Sequence, residues 1–127
     1  MARQEIKSHE VSAAGPYSQG VRTGDGLLFL SGQAAVDGAT GKLIEGDVTA
    51  QTEQIFKNLF AVLKAAGYSP DDVMKANVYL INMNDFAAMN EVYKTKFNAP
   101  YPARTTVGVA SLPMGASVEI ELVAKIH

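Results

Sequence analysis

The chain has no cysteine and no tryptophan, and its two histidines, His9 and His127, stand near opposite ends. Without thiols there is no disulfide framework, no thiolate nucleophile and no thiolate metal site. Two separated imidazoles cannot supply the oriented base of a nucleophilic triad or the clustered ligands of a zinc centre, so neither histidine is given a role. No metal is expected. Long apolar runs are missing as well. No segment approaches the ~20 residues of a membrane-spanning helix, and Met1-Ala2-Arg3-Gln4-Glu5-Ile6-Lys7 does not lead into the apolar stretch of a secretory signal. A cytoplasmic protein with no membrane partner is the expectation. Charge is sparse and mixed: net charge is -2, the pI is near 5.6, and the lysines are scattered. Nothing attracts a phosphate backbone generally, so nucleic acid is not an expected partner.

What is present fits one soluble globular domain over residues 1–127: 47% hydrophobic and 19% charged residues, with no repeat, low-complexity tract or linker. Tyr17 to Arg22 and Leu27 to Gly32 flank Thr23-Gly24-Asp25-Gly26, a set tolerant of positive φ that predicts a hairpin. Pairing Arg22 with Leu27 then sets Tyr17 opposite Gly32 and Ser18 opposite Ser31. The unalternating run Leu27-Leu28-Phe29-Leu30 reads as a strand covered on both faces. Asp47 or Thr49 can cap a helix that runs to about Ala66 with Gly67 as its stop, its apolar stripe carrying Ile55, Phe56, Leu59, Phe60, Val62 and Leu63. Val73 to Ile81 reads as a strand. Asn84 can cap a second helix with a stripe of Phe86, Met89, Tyr93 and Phe97, and Asn90 falls inside that stripe, where its amide needs a partner. Strands over Arg104 to Ala110 and Ser117 to Ile126 close the chain. The order β-β-α-β-α-β-β predicts an α+β fold, one mixed sheet with both helices on a single face. That leaves a surplus of apolar sheet surface from Leu27 to Leu30, Val107, Val109, Val118, Ile120 and Leu122, which points to oligomerisation.

Candidate chemistry concentrates near the C-terminus. Arg104 follows Pro102 at a strand start, at the rim of a sheet, and its planar fork matches a carboxylate or phosphate. Glu119 and Glu121 alternate with Val118, Ile120 and Leu122, so both point to one face, and either could handle a proton or a water. Judged singly, Arg104 reads as an ordinary ion-pair arginine and the glutamates as solvated positions of a half-exposed strand. A plain hairpin about Leu112 to Gly115 would place Arg104 near Val123, roughly 13 Å along the strand from Glu119. Either the two strands are not direct neighbours, or Arg104 of one chain meets Glu119 of another.

Five ordered pieces resemble the RidA family, also called YjgF: Gly15-Pro16-Tyr17-Ser18-Gln19-Gly20, Ser31-Gly32-Gln33, Asn84-Asp85-Phe86 with Met89-Asn90-Glu91-Val92-Tyr93, Pro102-Ala103-Arg104-Thr105-Thr106-Val107, and Val118-Glu119-Ile120-Glu121. The resemblance implies a chorismate-mutase-like fold, a homotrimer with clefts between subunits, no cofactor, and deamination of reactive enamine or imine acids such as 2-aminoacrylate. By position it implies that Arg104 binds the substrate carboxylate, that Glu119 holds the attacking water, and that Tyr17, Ser31, Gly32 and Asn90 line the cleft. Thr106 stands in the cleft where many members carry cysteine, so thiol activity does not transfer. The interval from Asn90 to Arg104 is short against the family pattern, which puts Asn98-Ala99-Pro100-Tyr101 at the cleft mouth. Competing readings are noncatalytic binding of 2-keto or other carboxylic acids, and an RNA-directed ribonuclease or translation inhibitor.

Overall fold

The computed structural model describes residues 3–13 and 15–126. Met1, Ala2, Ala14 and His127 lie outside the described residues, and with them one of the two histidines set aside above and the start of the N-terminal segment. The elements are β1 (Gln4–Ile6), β2 (Gly20–Arg22), β3 (Leu27–Leu30), α1 (Val48–Ala66), β4 (Val73–Leu80), α2 (Phe86–Tyr93), β5 (Ala103–Gly108) and β6 (Val118–Lys125). They build the expected α+β fold, with one strand more than the sequence pattern indicates. Strand β1 spans only three residues, too few for a period-two signal, and pairs with β2 at the sheet edge. The sheet order is β1-β2-β3-β6-β4-β5, antiparallel throughout except for the β4–β5 pair.

Local chemistry accounts for the helix ends. Asp47 accepts a 3.0 Å hydrogen bond from the Ala50 N–H, satisfying one orphan donor of the first turn. Gly67 ends α1 at φ 83, where its N–H reaches the carbonyls of Leu63 and Lys64. The buried stripe Ile55, Phe56, Leu59, Val62 and Leu63 lies on Leu28, Leu30, Ala76, Val78, Leu80, Val118, Ile120 and Leu122 of the sheet. Helix α2 is shorter than its apolar pattern suggests, because a 3-10 turn over Met83–Asp85 precedes it. Asn82, two residues before the expected cap, accepts from the Asn84 N–H at 2.9 Å. Phe97 still reaches the core from the turn after α2, with its ring edge-on to those of Phe56 and Phe60. Among the described residues no helix is long and apolar enough to cross a membrane.

One reading from local pattern is corrected and two are sharpened. The first hairpin pairs Arg22 with Leu28, one residue beyond the expected partner. Thr23 closes the longer loop, donating its N–H to the Leu27 carbonyl and accepting the Leu27 N–H at its hydroxyl. Tyr17 is therefore not in ladder register with Gly32. Within one chain strand β3 is covered on one face only: Leu28 and Leu30 are buried, whereas Phe29 is 46% exposed on the open face, so a second cover would have to come from outside the chain. Of the alternatives left open for the last two strands, the structure bears out that they are not direct neighbours, because β4 lies between β5 and β6. The apolar surplus shrinks accordingly. Val118, Ile120 and Leu122 are fully covered by the helices, and Phe29 and Val107 are what remains exposed.

Candidate active site

Sheet register decides which groups can meet. Arg104 lies level with Ala76 and Leu122, both buried under the helices, whereas Glu119 lies level with Tyr79 and Val107. Successive strand residues alternate faces, so Arg104 projects to the helix side and Glu119 to the open side. Within one chain the two occupy opposite faces of the sheet.

On the helix side, α2 assembles the arginine's surroundings from one apolar stripe. Asn90 Oδ1 accepts a 2.7 Å hydrogen bond from Arg104 Nη1, which is the partner its place in the stripe demanded. The guanidinium stands 4.6 Å from the Tyr93 ring centroid and 5.4 Å from that of Phe86. Those rings flank Asn90 at i−4 and i+3, so one helix turn supplies two π faces and an amide. Among the described residues no carboxylate lies within ion-pair distance of Arg104; the salt bridges there are Glu91 with Lys94 and Glu53 with Lys96. This half-buried cation is oriented by neutral groups with its charge uncompensated. It opens on a cavity of about 370 Å³ lined by Asn90, Tyr93, Lys94, Tyr101, Pro102 and Arg104. Tyr101, the last residue of the loop expected at the mouth, and Pro102 belong to that lining. Burial raises the proton affinity of the Tyr93 phenol, against the opposing pull of the Arg104 charge.

On the open side the backbone makes the site. Phe29 pairs with Val123 and Gln33 bridges Ile120. Three residues of one strand, Leu30 to Gly32, therefore face two of the other, Glu121 and Leu122, which is a β-bulge. The bulge brings Gly32 so close that a Cβ there would lie 2.6 Å from Glu119 Oε2. Glu119 lines a cavity of about 360 Å³ with Tyr17, Gly32, Gln33, Pro113 and Met114 among its neighbours. Its carboxyl is pushed above the usual range by burial first and by the negative charge of Glu121 second. Glu121 lies on the same face but accepts a hydrogen bond from the Tyr79 hydroxyl. That bond is the main reason the Tyr79 phenol is pushed up to about 12. Geometry thus separates the two glutamates that alternation could not: Glu119 faces a cavity, and Glu121 has a protein partner.

The remaining candidates serve differently. Ser31 Oγ donates to the Ser18 carbonyl at 2.6 Å, so its hydroxyl ties the segment carrying Tyr17 to the bulge. Thr106 lies two residues beyond Arg104 on the helix side, its hydroxyl buried without a hydrogen-bond partner. His9 is exposed. Among the described residues no group of three or more potential metal ligands comes together. Residues missed by sequence reasoning are the two ring faces beneath Arg104, Lys94 in its cavity, the Tyr79 tether of Glu121, and Pro113 and Met114 beside Glu119. The spacing of Phe86, Asn90 and Tyr93 carried the first; the others depend on how strands and turns are placed in three dimensions.

Comparison with known proteins bears on this pair of cavities. Residues 7–126 match the family model described as Endoribonuclease L-PSP. The chain is 46% identical over 123 residues to a mouse protein named 2-iminobutanoate/2-iminopropanoate deaminase, covering 96% of this chain and 90% of that one. Among solved structures, RidA from the Antarctic bacterium Psychrobacter sp. superposes with TM-score 0.92 at 46% identity, covering 98% of this chain and all of the other. The structure of E. coli TdcF with bound serine superposes with TM-score 0.92 at 41% identity, covering 98% and 99%. On a match spanning nearly the whole sequence, the chain belongs to the RidA family.

Proposed function

We propose that the protein hydrolyses reactive 2-imino acids, formed by tautomerisation of enamines such as 2-aminoacrylate, to 2-keto acids and ammonia, acting on 2-iminopropanoate and 2-iminobutanoate. The observation that carries this reading is Arg104: a half-buried guanidinium oriented by Asn90 and two rings but with no carboxylate partner among the described residues. Such a group is an anion site awaiting a ligand carboxylate. The name of the mouse relative supports the substrate class.

The chemistry asks little more than positioning. Arg104 takes the substrate carboxylate bidentately and fixes the adjacent imine carbon. Glu119, whose proton affinity is raised by burial and by the charge of Glu121, holds a water against that carbon and accepts its proton. As the water oxygen adds to the imine carbon, one water proton passes to Glu119 and the C=N π pair moves to nitrogen, which then takes that proton from Glu119 to give the carbinolamine. In the collapse Glu119 takes the hydroxyl proton, the O–H bonding pair becomes the new C=O π bond, and nitrogen leaves with the C–N bonding pair and this second proton as ammonia, returning Glu119 to its carboxylate form. Because Arg104 and Glu119 lie on opposite faces of one sheet, a substrate touching both sits between two chains, Arg104 from one and Glu119 from its neighbour. In this reading the protein is a homotrimer with shared clefts, and the exposed Phe29 and Val107 lie on the face that is covered.

The test generates the imine in situ with an amino-acid dehydratase and times keto-acid release with and without the protein. Acceleration lost in Glu119→Gln is expected; an unchanged rate would overturn the reading. A second reading, binding of carboxylic acids without turnover, is favoured by the serine in the TdcF structure. It predicts equal keto-acid affinity in wild type and Glu119→Gln with no imine turnover in either.

A further inference from the structure

The turn leading into β6 carries the only non-glycine residue with positive φ among the described residues. Met114 has φ 61 and ψ 15, Gly115 follows at φ 70, and the Ala116 N–H closes the turn on the Pro113 carbonyl at 3.2 Å. Two successive positive-φ residues closed in this way form a type I′ pattern, whose central positions favour glycine or asparagine. A methionine there crowds its own backbone, since a Cβ is disfavoured in the left-handed region. Core packing does not explain the choice, because Met114 is 58% exposed. Its side chain does have one place to act: with Pro113 it lines the Glu119 cavity.

The make-up of that cavity says what such a wall would select. Tyr17, Ala34, Val36, Pro113 and Met114 are apolar or aromatic, Ser12 and Gln33 are polar but neutral, Glu119 is the single charged group, and no cation is among the lining residues. A ligand group entering beside Met114 meets a flexible thioether and the proline ring. A second carboxylate entering here would face Glu119 with no positive partner from the same chain. We infer that Met114 is a specificity-determining residue: held over the Glu119 cavity by a strained turn, it limits the length of the substrate side chain and, with the uncharged walls, favours short aliphatic over acidic imino acids. This rests on the imine-deaminase reading for the reaction, though not for the binding preference.

The test compares wild type with Met114→Ala, Met114→Gly and Met114→Lys. Substrates are 2-iminopropanoate, 2-iminohexanoate and iminosuccinate, generated from the corresponding amino acids by an oxidase. Calorimetric affinities for 2-oxopropanoate and 2-oxohexanoate provide a readout independent of turnover. In Met114→Ala the ratio of kcat/KM for the six-carbon over the three-carbon imine rises roughly tenfold, the scale expected when a pocket gains room for a few methylenes. The affinity ratio of the keto acids moves the same way. Met114→Lys raises the relative rate with iminosuccinate by a similar factor. Met114→Gly, which relieves the turn, melts no lower than wild type and shows the same chain-length shift as Met114→Ala. A shift in Met114→Ala alone, absent from Met114→Gly, would mean that turn distortion is the cause and would overturn the inference. An active wild type with kinetic and binding ratios unmoved in every variant would overturn it and leave the deaminase reading standing. No turnover by any form, combined with the predicted change in keto-acid preference, would leave the inference standing and overturn the deaminase reading.

Discussion

The cavities around Arg104 and Glu119 are nearly equal in size, about 370 and 360 Å³, yet they hold opposite charges by opposite means. Around the arginine, side chains make the site: Asn90, Phe86 and Tyr93, all from α2, orient the guanidinium and leave its charge free. Around the glutamate, the main chain makes it: a bulge brings Gly32 against the carboxylate, and partial burial raises its proton affinity. A cation meant to hold an anion must keep its charge, which ring faces and an amide allow. A carboxylate meant to accept a proton benefits from losing water, which close backbone provides. The sheet between them keeps the two from neutralising each other within one chain.

Removing the cation is the harshest test of this division. Arg104→Ala is expected to lower kcat/KM for imine hydrolysis by roughly 10³-fold, the scale for truncating one member of a desolvated charge pair. Mixing Arg104→Ala with Glu119→Gln subunits, after dissociation and reassembly, then tests whether the halves come from different chains. Random reassembly restores about a quarter of wild-type activity if each cleft takes one residue from each neighbour. No recovery would break the shared-cleft reading.

Filling the arginine's anion site from within sharpens the comparison next. Asn90→Asp places a fixed carboxylate where the amide oxygen now lies, 2.7 Å from the guanidinium. A resident counter-ion competes with substrate, so KM is expected to rise by about 10²-fold with a smaller change in kcat. An unchanged KM would show that Asn90 is not beside the substrate carboxylate. On the other side, Gly32→Ala pushes against the movable end of Glu119 rather than against backbone. The fold should hold, with Tm nearly unchanged, while kcat falls roughly tenfold as the carboxylate is displaced from its working position.

Much of this architecture was legible because it is local. Asp47 and Gly67 mark the ends of α1, alternation from Val118 to Leu122 marks β6, and an asparagine inside the apolar stripe of α2 announced a buried partner before Arg104 could be identified as that partner. The sheet order was not legible. Residues around Leu112-Pro113-Met114-Gly115 carry the signals of a hairpin turn, and nothing nearby reveals that β4, from much earlier in the chain, inserts between the strands it joins. The bulge at Gly32 was equally hidden, since one extra residue in a strand leaves no mark on hydrophobic period when the segment reads Ser31-Gly32. Both omissions bear on the site: the inserted strand separates Arg104 from Glu119, and the bulge singles out Glu119 from Glu121.

The smallest expected effect concerns stability, and its sign separates a working carboxylate from a structural one. Glu119 binds its proton more tightly in the folded protein than an unfolded glutamate does, because burial and the charge of Glu121 both disfavour the anion. With the folded value above the unfolded one, the native state holds more protons between them, so stability falls as pH rises through that window. Glu119→Gln removes the ionisation. Relative to wild type, its Tm by scanning calorimetry should therefore rise as pH goes from about 4, near the ordinary glutamate value, to 8. A carboxylate held in place by an ion pair would give the reverse, with the substitution costing progressively more as pH increases. The same exchange abolishes turnover in the proposed mechanism, so a variant more stable at neutral pH and inactive would identify Glu119 as a group kept charged at a cost to the fold for the sake of the reaction.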